Sequence, residues 1–194
     1  MTLTLLRAAD RAPQPWKNGG GLTWPVAVSP VGAALDGFDW RLSLALVERG
    51  GPFSAFSGVN RLMLVLDGRL ELDIAGNDRL LLDEAGEAAA FPGDAEVTAA
   101  VPDGPVADLN LMVRRGRFTG VLERRRVLGQ AAIICQDTTF VLSRAGGLTA
   151  MLGAERCALE AGDAVRVDHL RGGMLRLRAS APDEVIVAHI NAVR

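Results

Sequence analysis

The chain has 194 residues, of which 49% are hydrophobic and 23% charged, and its formal net charge is −2 at pH 7. This apolar content is typical of a folded domain and excludes a disordered chain, while the small negative charge gives no support for a nucleic-acid or membrane partner. The rare residues exclude more, because the chain has two His, no Tyr, and Lys17 as its one lysine. A site built from three His therefore cannot form within one chain.

The sequence also shows few of the features that mark secreted or metal-binding proteins. Residues 1–10 lack the basic start, apolar core and cleavage site of a signal peptide, and no run of about 18 apolar residues predicts a membrane span. Cys135 and Cys157 are predicted to be two buried thiols, not paired in a disulfide, of a cytoplasmic protein. His169 and His189 are predicted to be ordinary side chains, so we expect no metal and no cofactor.

Short apolar runs bounded by Gly, Pro, Asn or Asp recur along the chain, and they predict strands. In chain order the predicted strands are Leu3–Leu6, Thr23–Ser29, Trp40–Val47, Leu62–Leu66, Leu70–Ile74, Asp78–Leu82, Ala88–Phe91, Ala95–Val101, Val106–Arg114, Thr139–Ser143, Leu148–Met151, Arg156–Leu159, Ala164–Val167, Met174–Ala179 and Val185–Asn191. One short helix is predicted around Phe118–Leu128. So many short strands predict an all-β, mostly antiparallel sandwich or barrel with little helix.

A strand–Gly–strand–Gly–strand pattern occurs twice, from Leu64 to Asp94 and from Val141 to Asp168. Two copies of one unit predict a duplicated β-barrel, and chance spacing in a Gly-rich β-protein is the alternative. We predict that residues 1–130 form the first barrel, which contains the binding site, and that residues 131–194 form the second. In this prediction, N-terminal strands are free to cross over and pair within the second barrel. The first copy, ending in Phe91-Pro92-Gly93-Asp94, resembles a cupin. Cupin metal sites need several His, and residues 1–168 contain none.

Polar residues gather in a few segments. Three consecutive glycines in Trp16–Thr23 indicate an unusual backbone, which is either a structural turn or a ligand-facing loop. Alternation places Arg41 and Ser43 on one face of the strand Trp40–Val47. The same rule places Asp108 with Asn110 on Val106–Arg114, and Arg61 opens a strand after a loop rich in Gly, Pro, Ser and Phe. Such polar faces are solvent-exposed in a sandwich, but they line a cavity in a small barrel.

These segments together resemble the HutD/Ves family. The residues that carry the resemblance are Trp16-Lys17-Asn18-Gly19-Gly20-Gly21 with Thr23, Trp40-Arg41 with Ser43 and Ala45, Gly51-Pro52-Phe53-Ser54 with Phe56, Gly58 and Arg61, Leu66-Asp67-Gly68, Phe91-Pro92-Gly93-Asp94, and Asp108-Leu109-Asn110 with Met112. The resemblance implies a duplicated cupin (bicupin) fold without an established catalytic activity. HutD-type members are associated with histidine utilisation and are proposed to bind formylglutamate, and Ves-type members are linked to stress or cold.

We therefore expect a non-catalytic protein that binds a small anionic metabolite, because a buried carboxylate needs cations and fixed donors. The predicted ligand-binding residues are Lys17, Asn18, Gly20, Thr23, Arg41, Ser43, Arg61, Asp108 and Asn110. One alternative is a metal-free isomerase or hydrolase with Asp94 or Asp108 as general base. The other is a stress-linked interaction protein, and a homodimer is allowed in either case.

Overall fold

The computed structural model describes residues 2–76 and 79–194, and these contain nineteen β-strands and one short 3-10 turn, Ala8–Asp10. The strands are β1 (Leu3–Leu6), β2 (Gln14–Pro15), β3 (Gly21–Ser29), β4 (Trp40–Val47), β5 (Gly51–Pro52), β6 (Val59–Asp67), β7 (Arg69–Ile74), β8 (Leu80–Asp83), β9 (Ala89–Pro92), β10 (Val97–Ala100), β11 (Val106–Arg114), β12 (Phe118–Val127), β13 (Gln130–Ile134), β14 (Thr138–Ser143), β15 (Leu148–Leu152), β16 (Glu155–Leu159), β17 (Ala164–Asp168), β18 (Met174–Ala179) and β19 (Asp183–Ala192). The predicted all-β, antiparallel class is confirmed. No helix among the described residues is both long and apolar enough to cross a membrane.

The chain divides into two compact units. The first, which we call the cavity unit, is Ala12–Thr119, and the second, the C-terminal unit, is Gly120–Arg194 together with the N-terminal segment up to Arg11. The predicted boundary at residue 130 thus lies after the observed one. The N-terminal segment joins the C-terminal unit because β1 pairs with β17.

The cavity unit consists of two antiparallel sheets. One has six strands in the order β2-β3-β4-β11-β6-β9, and the other has four in the order β5-β10-β7-β8. Alternating apolar residues of the four-stranded sheet, among them Leu70 and Leu72, pack with Val47, Met63 and Val106 of the six-stranded sheet. This cluster stabilises the unit by removing apolar surface from water.

The C-terminal unit repeats this arrangement. Its sheets have the orders β1-β17-β14-β19-β12 and β13-β18-β15-β16. Apart from β1, each strand takes the place of the cavity-unit strand that stands eight earlier in the chain, so that β14 corresponds to β6 and β19 to β11. The order of the strands therefore agrees with the internal repeat seen in the sequence.

Two sequence predictions need comment. The predicted helix around Phe118–Leu128 is wrong, because Phe118–Val127 is the strand β12 beside β19. Its Phe, Thr and Val residues favour strand, and the edge of β19 provides the hydrogen-bonding partner that the local sequence does not show. The predicted strand Asp78–Leu82 begins outside the described residues, and its described part lies in β8 and the residue before it.

Candidate binding site

A cavity of about 430 Å³ opens in the cavity unit, lined by Gln14, Pro15, Trp16, Lys17, Asn18, Thr23, Leu35, Arg41, Ser43, Ala45, Pro52, Phe53, Ser54, Phe56, Arg61, Met63, Asp108, Asn110 and Met112. Its volume falls in the range of small-molecule sites. Strands β4, β11 and β6, which lie side by side in the six-stranded sheet, supply its floor. Their polar faces therefore line a cavity. Of the two possibilities that alternation left open, a solvent-exposed face and a cavity-lining face, the structure has the second.

Cross-strand pairing arranges the floor in rows of directly opposite residues. In one row Met112 stands between Arg41 on β4 and Arg61 on β6. In the next row Asn110 stands between Ser43 and Met63. Neighbouring strands lie about 4.8 Å apart, so the backbones of the two arginines are separated by about 10 Å. An elongated ligand can lie across the sheet between them.

Arg61 is a buried cation that is 6% exposed. No carboxylate lies within ion-pair distance of it among the described residues, and its Nε has no hydrogen-bond partner there. Three aromatic rings surround the guanidinium instead, with centroids 5.0 Å (Phe53), 5.2 Å (Phe91) and 5.8 Å (Phe56) from Cζ. Burial lowers the pKa of Arg61 to about 10, against the opposing effect of the Asp108 charge. The side chain is therefore charged at neutral pH, and none of the described acidic residues is a counter-ion in contact with it.

Asp108 occupies the third row of the floor, opposite Ala45. It is 1% exposed, and both carboxylate oxygens are buried without a hydrogen-bond partner among the described residues. Burial raises the pKa of Asp108 to about 7, although the positive charge of Arg61 acts in the opposite direction. The cavity wall thus contains an acid that titrates near neutrality.

The glycine segment within Trp16–Thr23 forms a structural turn, and the residues just before the glycines line the cavity. Gly19 has φ +66°, and a Cβ on Gly21 would lie 2.2 Å from the Leu46 carbonyl oxygen, so both positions need glycine. Asn18 Oδ1 accepts the N–H of Gly20 at 3.0 Å. Gly20 does not line the cavity, in contrast to its predicted role.

The side chains before the glycines form one wall of the cavity. Trp16 Nε1 donates to Thr23 Oγ1 at 2.7 Å, and the Trp16 ring meets Phe53 edge-on at 6.2 Å. Arg41 Nη2 lies 3.4 Å from Gln14 Oε1, and burial lowers the pKa of Arg41. This wall is held by its own hydrogen bonds and ring contacts.

The structure brings eight of the nine predicted site residues to this one cavity, the exception being Gly20. Sequence reasoning did not select the aromatic and apolar lining, although alternation on β6 and β11 places Met63 with Arg61 and Met112 with Asn110. Nothing in the local sequence indicates that Phe91 packs on Arg61, since that contact depends on the pairing of β6 with β9.

Asp94, the other predicted general base, lies outside the cavity. Its Oδ1 accepts from Arg115 Nη2 at 2.8 Å on the surface, and this hydrogen bond lowers the pKa of Asp94. The described residues also contain no cluster of three or more His, Cys, Asp or Glu side chains that could hold a metal ion. Among the two acids considered, only Asp108 faces the site.

In the C-terminal unit, the strands that correspond to the cavity floor contribute apolar side chains to a hydrophobic core, and β14 also carries the fully buried Thr139 and Ser143. Val141 on β14 and Val185 and Val187 on β19 belong to its core, together with Val127 and Cys135. All five are fully buried. The strands that correspond to the polar floor of the cavity unit thus contribute to a packed interior here.

Comparison with known proteins identifies the family. A model of the HutD family matches residues 8–187. An uncharacterised 21.2 kDa protein from the hutC 3′ region of Pseudomonas putida is 40% identical over 62% of this chain and 63% of its own length. Protein Ves of Citrobacter koseri is 34% identical over 53% of each chain. The aligned region therefore spans less than two thirds of either relative.

Solved structures match over nearly the whole chain. A conserved protein of unknown function from Pseudomonas aeruginosa has a TM-score of 0.91 at 34% identity, covering 98% of this chain and all of its own. The structure of HutD from Pseudomonas fluorescens, determined in a formate condition, has a TM-score of 0.82 at 27% identity and covers all of both chains. The chain has a cupin-like fold and belongs to the HutD family.

Proposed function

We propose that the protein binds a small carboxylate metabolite in the cavity without transforming it. One observation carries the proposal: Arg61 is buried, charged and surrounded by aromatic rings, and no described carboxylate contacts it. A buried charge without a partner is costly, and an anionic ligand would offset that cost. Arg41 in the same row and Lys17 in the loop are the other cations of the cavity.

The arrangement favours an elongated anion with two acceptor groups. Arg61 and Arg41 would each bind one end, Ser43 and Asn110 would orient the middle, and Asn18 and Thr23 would bound the entrance. Formylglutamate, with two carboxylates and one amide, has these features. Family membership and the relative from the hutC region support a role connected with histidine utilisation.

Isothermal titration calorimetry with N-formyl-L-glutamate, L-glutamate and urocanate tests the proposal. Charge-assisted hydrogen bonds contribute about 1.5–3 kcal/mol each, so Arg41→Gln and Arg61→Gln should each weaken binding by about tenfold or more. Arg69→Gln is the matched control, because Arg69 lies outside the cavity and its side chain is 52% exposed. If no compound binds below millimolar concentration, or if the control weakens binding equally, the proposal is wrong.

A second candidate is a metal-free enzyme with Asp108 as general base. The raised pKa of Asp108 favours it, since bases are most effective when their pKa lies near the working pH. The burial of both Asp108 oxygens opposes it, because a substrate must reach the base. NMR detection of turnover of formylglutamate or urocanate, abolished in Asp108→Asn, would support the enzyme.

A homodimer stays a prediction for either function. Light scattering over a range of protein concentrations tests it. The expected result is a molar mass that doubles as the protein concentration rises.

A further inference from the structure

Asp108 has an environment that the binding proposal does not use. Its two oxygens are buried and lack hydrogen-bond partners among the described residues, so it makes no contact that fixes its charge. Among the described residues, the other charged side chains that face the cavity are Arg61 from β6, Arg41 from β4 and Lys17 from the loop after β2. Asp108 is the one acid among the described lining residues.

An anion that enters such a cavity changes the field at this acid. A second negative charge nearby favours the protonated form of a carboxyl group, and burial keeps water from screening the effect. Residues 12–119 contain neither His nor Cys. No other side chain of the cavity unit therefore has an ordinary pKa between pH 6 and 8.

We propose that Asp108 takes up one proton from solvent when an anionic ligand occupies the cavity, so that carboxylate binding is coupled to proton uptake. The inference rests on the proposed binding function. Asp108 acts here through its charge rather than as a ligand contact, because its oxygens are enclosed. The ligand stays anionic, no covalent bond changes, and the proton comes from the buffer.

The size of the effect follows from the charges. Burial already raises the pKa of Asp108 to about 7. A further negative charge about 7 Å away, at an effective dielectric constant of about 20, raises a carboxyl pKa by between about one and two units. At pH 8 the protonated fraction would then rise from about a tenth to more than about a half.

Calorimetry with N-formyl-L-glutamate and glutarate at pH 8, in HEPES and in Tris, measures the protons taken up. Because the two buffers differ in ionisation enthalpy, the binding enthalpy should differ between them by an amount equal to about half a proton or more. The affinity should fall about tenfold from pH 6 to 8.5. Asp108→Asn should show neither dependence, and Asp73→Asn, which removes an exposed acid of the same unit, should behave as the unmodified protein.

The outcomes separate the two proposals. If neither compound binds at pH 6, the binding function and the proton coupling are both wrong. If either compound binds with a buffer-independent enthalpy and a pH-independent affinity, the coupling alone is wrong. Proton uptake that persists in Asp108→Asn also overturns it. If Asp108→Asn does not fold, the comparison of the two buffers on the unmodified protein decides whether binding is coupled to proton uptake.

Discussion

Asp108 should make the cavity unit less stable as the pH rises, and Asp108→Asn should remove this dependence. The pKa of Asp108 is about 7 in the folded protein against an ordinary value of 3.8. Between these values the folded state binds more protons than the unfolded state, so stability falls with increasing pH. The destabilisation is complete above the folded pKa, and it is absent below the unfolded one.

The magnitude follows from the same two values. A difference of about three units corresponds to a total of about 4 kcal/mol, of which about 3 kcal/mol develops between pH 5 and pH 8. The stability of Asp108→Asn relative to the unmodified protein should therefore increase by about 3 kcal/mol over this interval. Packing changes caused by the amide are the same at both pH values and cancel in the difference, and the attraction between the ionised Asp108 and Arg61 is already included in the folded-state pKa.

Urea denaturation followed by tryptophan fluorescence measures this quantity. Trp16, Trp24 and Trp40 are the only tryptophans and all lie in the cavity unit, so the signal reports that unit. Asp73→Asn is the control and should show no such change. If the stability difference between Asp108→Asn and the unmodified protein is equal at pH 5 and pH 8, Asp108 is not an uncompensated buried acid.

Three further predictions concern other parts of the chain. Gly21→Ala should destabilise the cavity unit by about 1–3 kcal/mol, since its Cβ would overlap a backbone oxygen, whereas Gly37→Ala, with open space around it, should be neutral in the same urea assay. Cys157 should react with a thiol reagent before Cys135, because Cys135 is fully buried and burial raises its thiol pKa; mass spectrometry of the labelled peptides would show the reverse order if this is wrong. Although burial acts to raise it, two backbone N–H groups and an arginine lower the pKa of Asp163. Asp163→Asn should therefore cost about 1–3 kcal/mol at neutral pH and nothing once acid has protonated the native carboxyl, as measured by circular dichroism.

The sequence predicts well what depends on local pattern. The bounds predicted for β4, β11 and β18 agree with those observed, because alternation and turn residues define these strands. The same alternation groups Arg41 with Ser43 and Asp108 with Asn110 on one face of each strand, but whether these faces are exposed or line a cavity is seen only in the structure.

Contacts between distant segments are not accessible in this way. The strand β12 depends on the neighbouring β19, and the position of β1 depends on pairing with β17, more than 150 residues away in the chain. The raised pKa of Asp108 likewise depends on the neighbouring strands, because they bury the carboxyl group and no described group donates a hydrogen bond to it. Gly20 does not line the cavity, and a glycine-rich segment does not reveal which of its amides are already bonded within the turn.

The cavity unit has a partly polar cavity in addition to its apolar cluster, whereas the corresponding strands of the C-terminal unit contribute to an apolar core, and this difference has a consequence for dynamics. Local opening is easier where fewer apolar contacts are buried and where buried charges lack partners. Backbone amides of β6 and β11 should therefore exchange with deuterium faster than those of β14 and β19, their counterparts in the repeat. A ligand that neutralises Arg61 would slow exchange in the first pair selectively, and so make the two halves of the repeat more alike in rigidity.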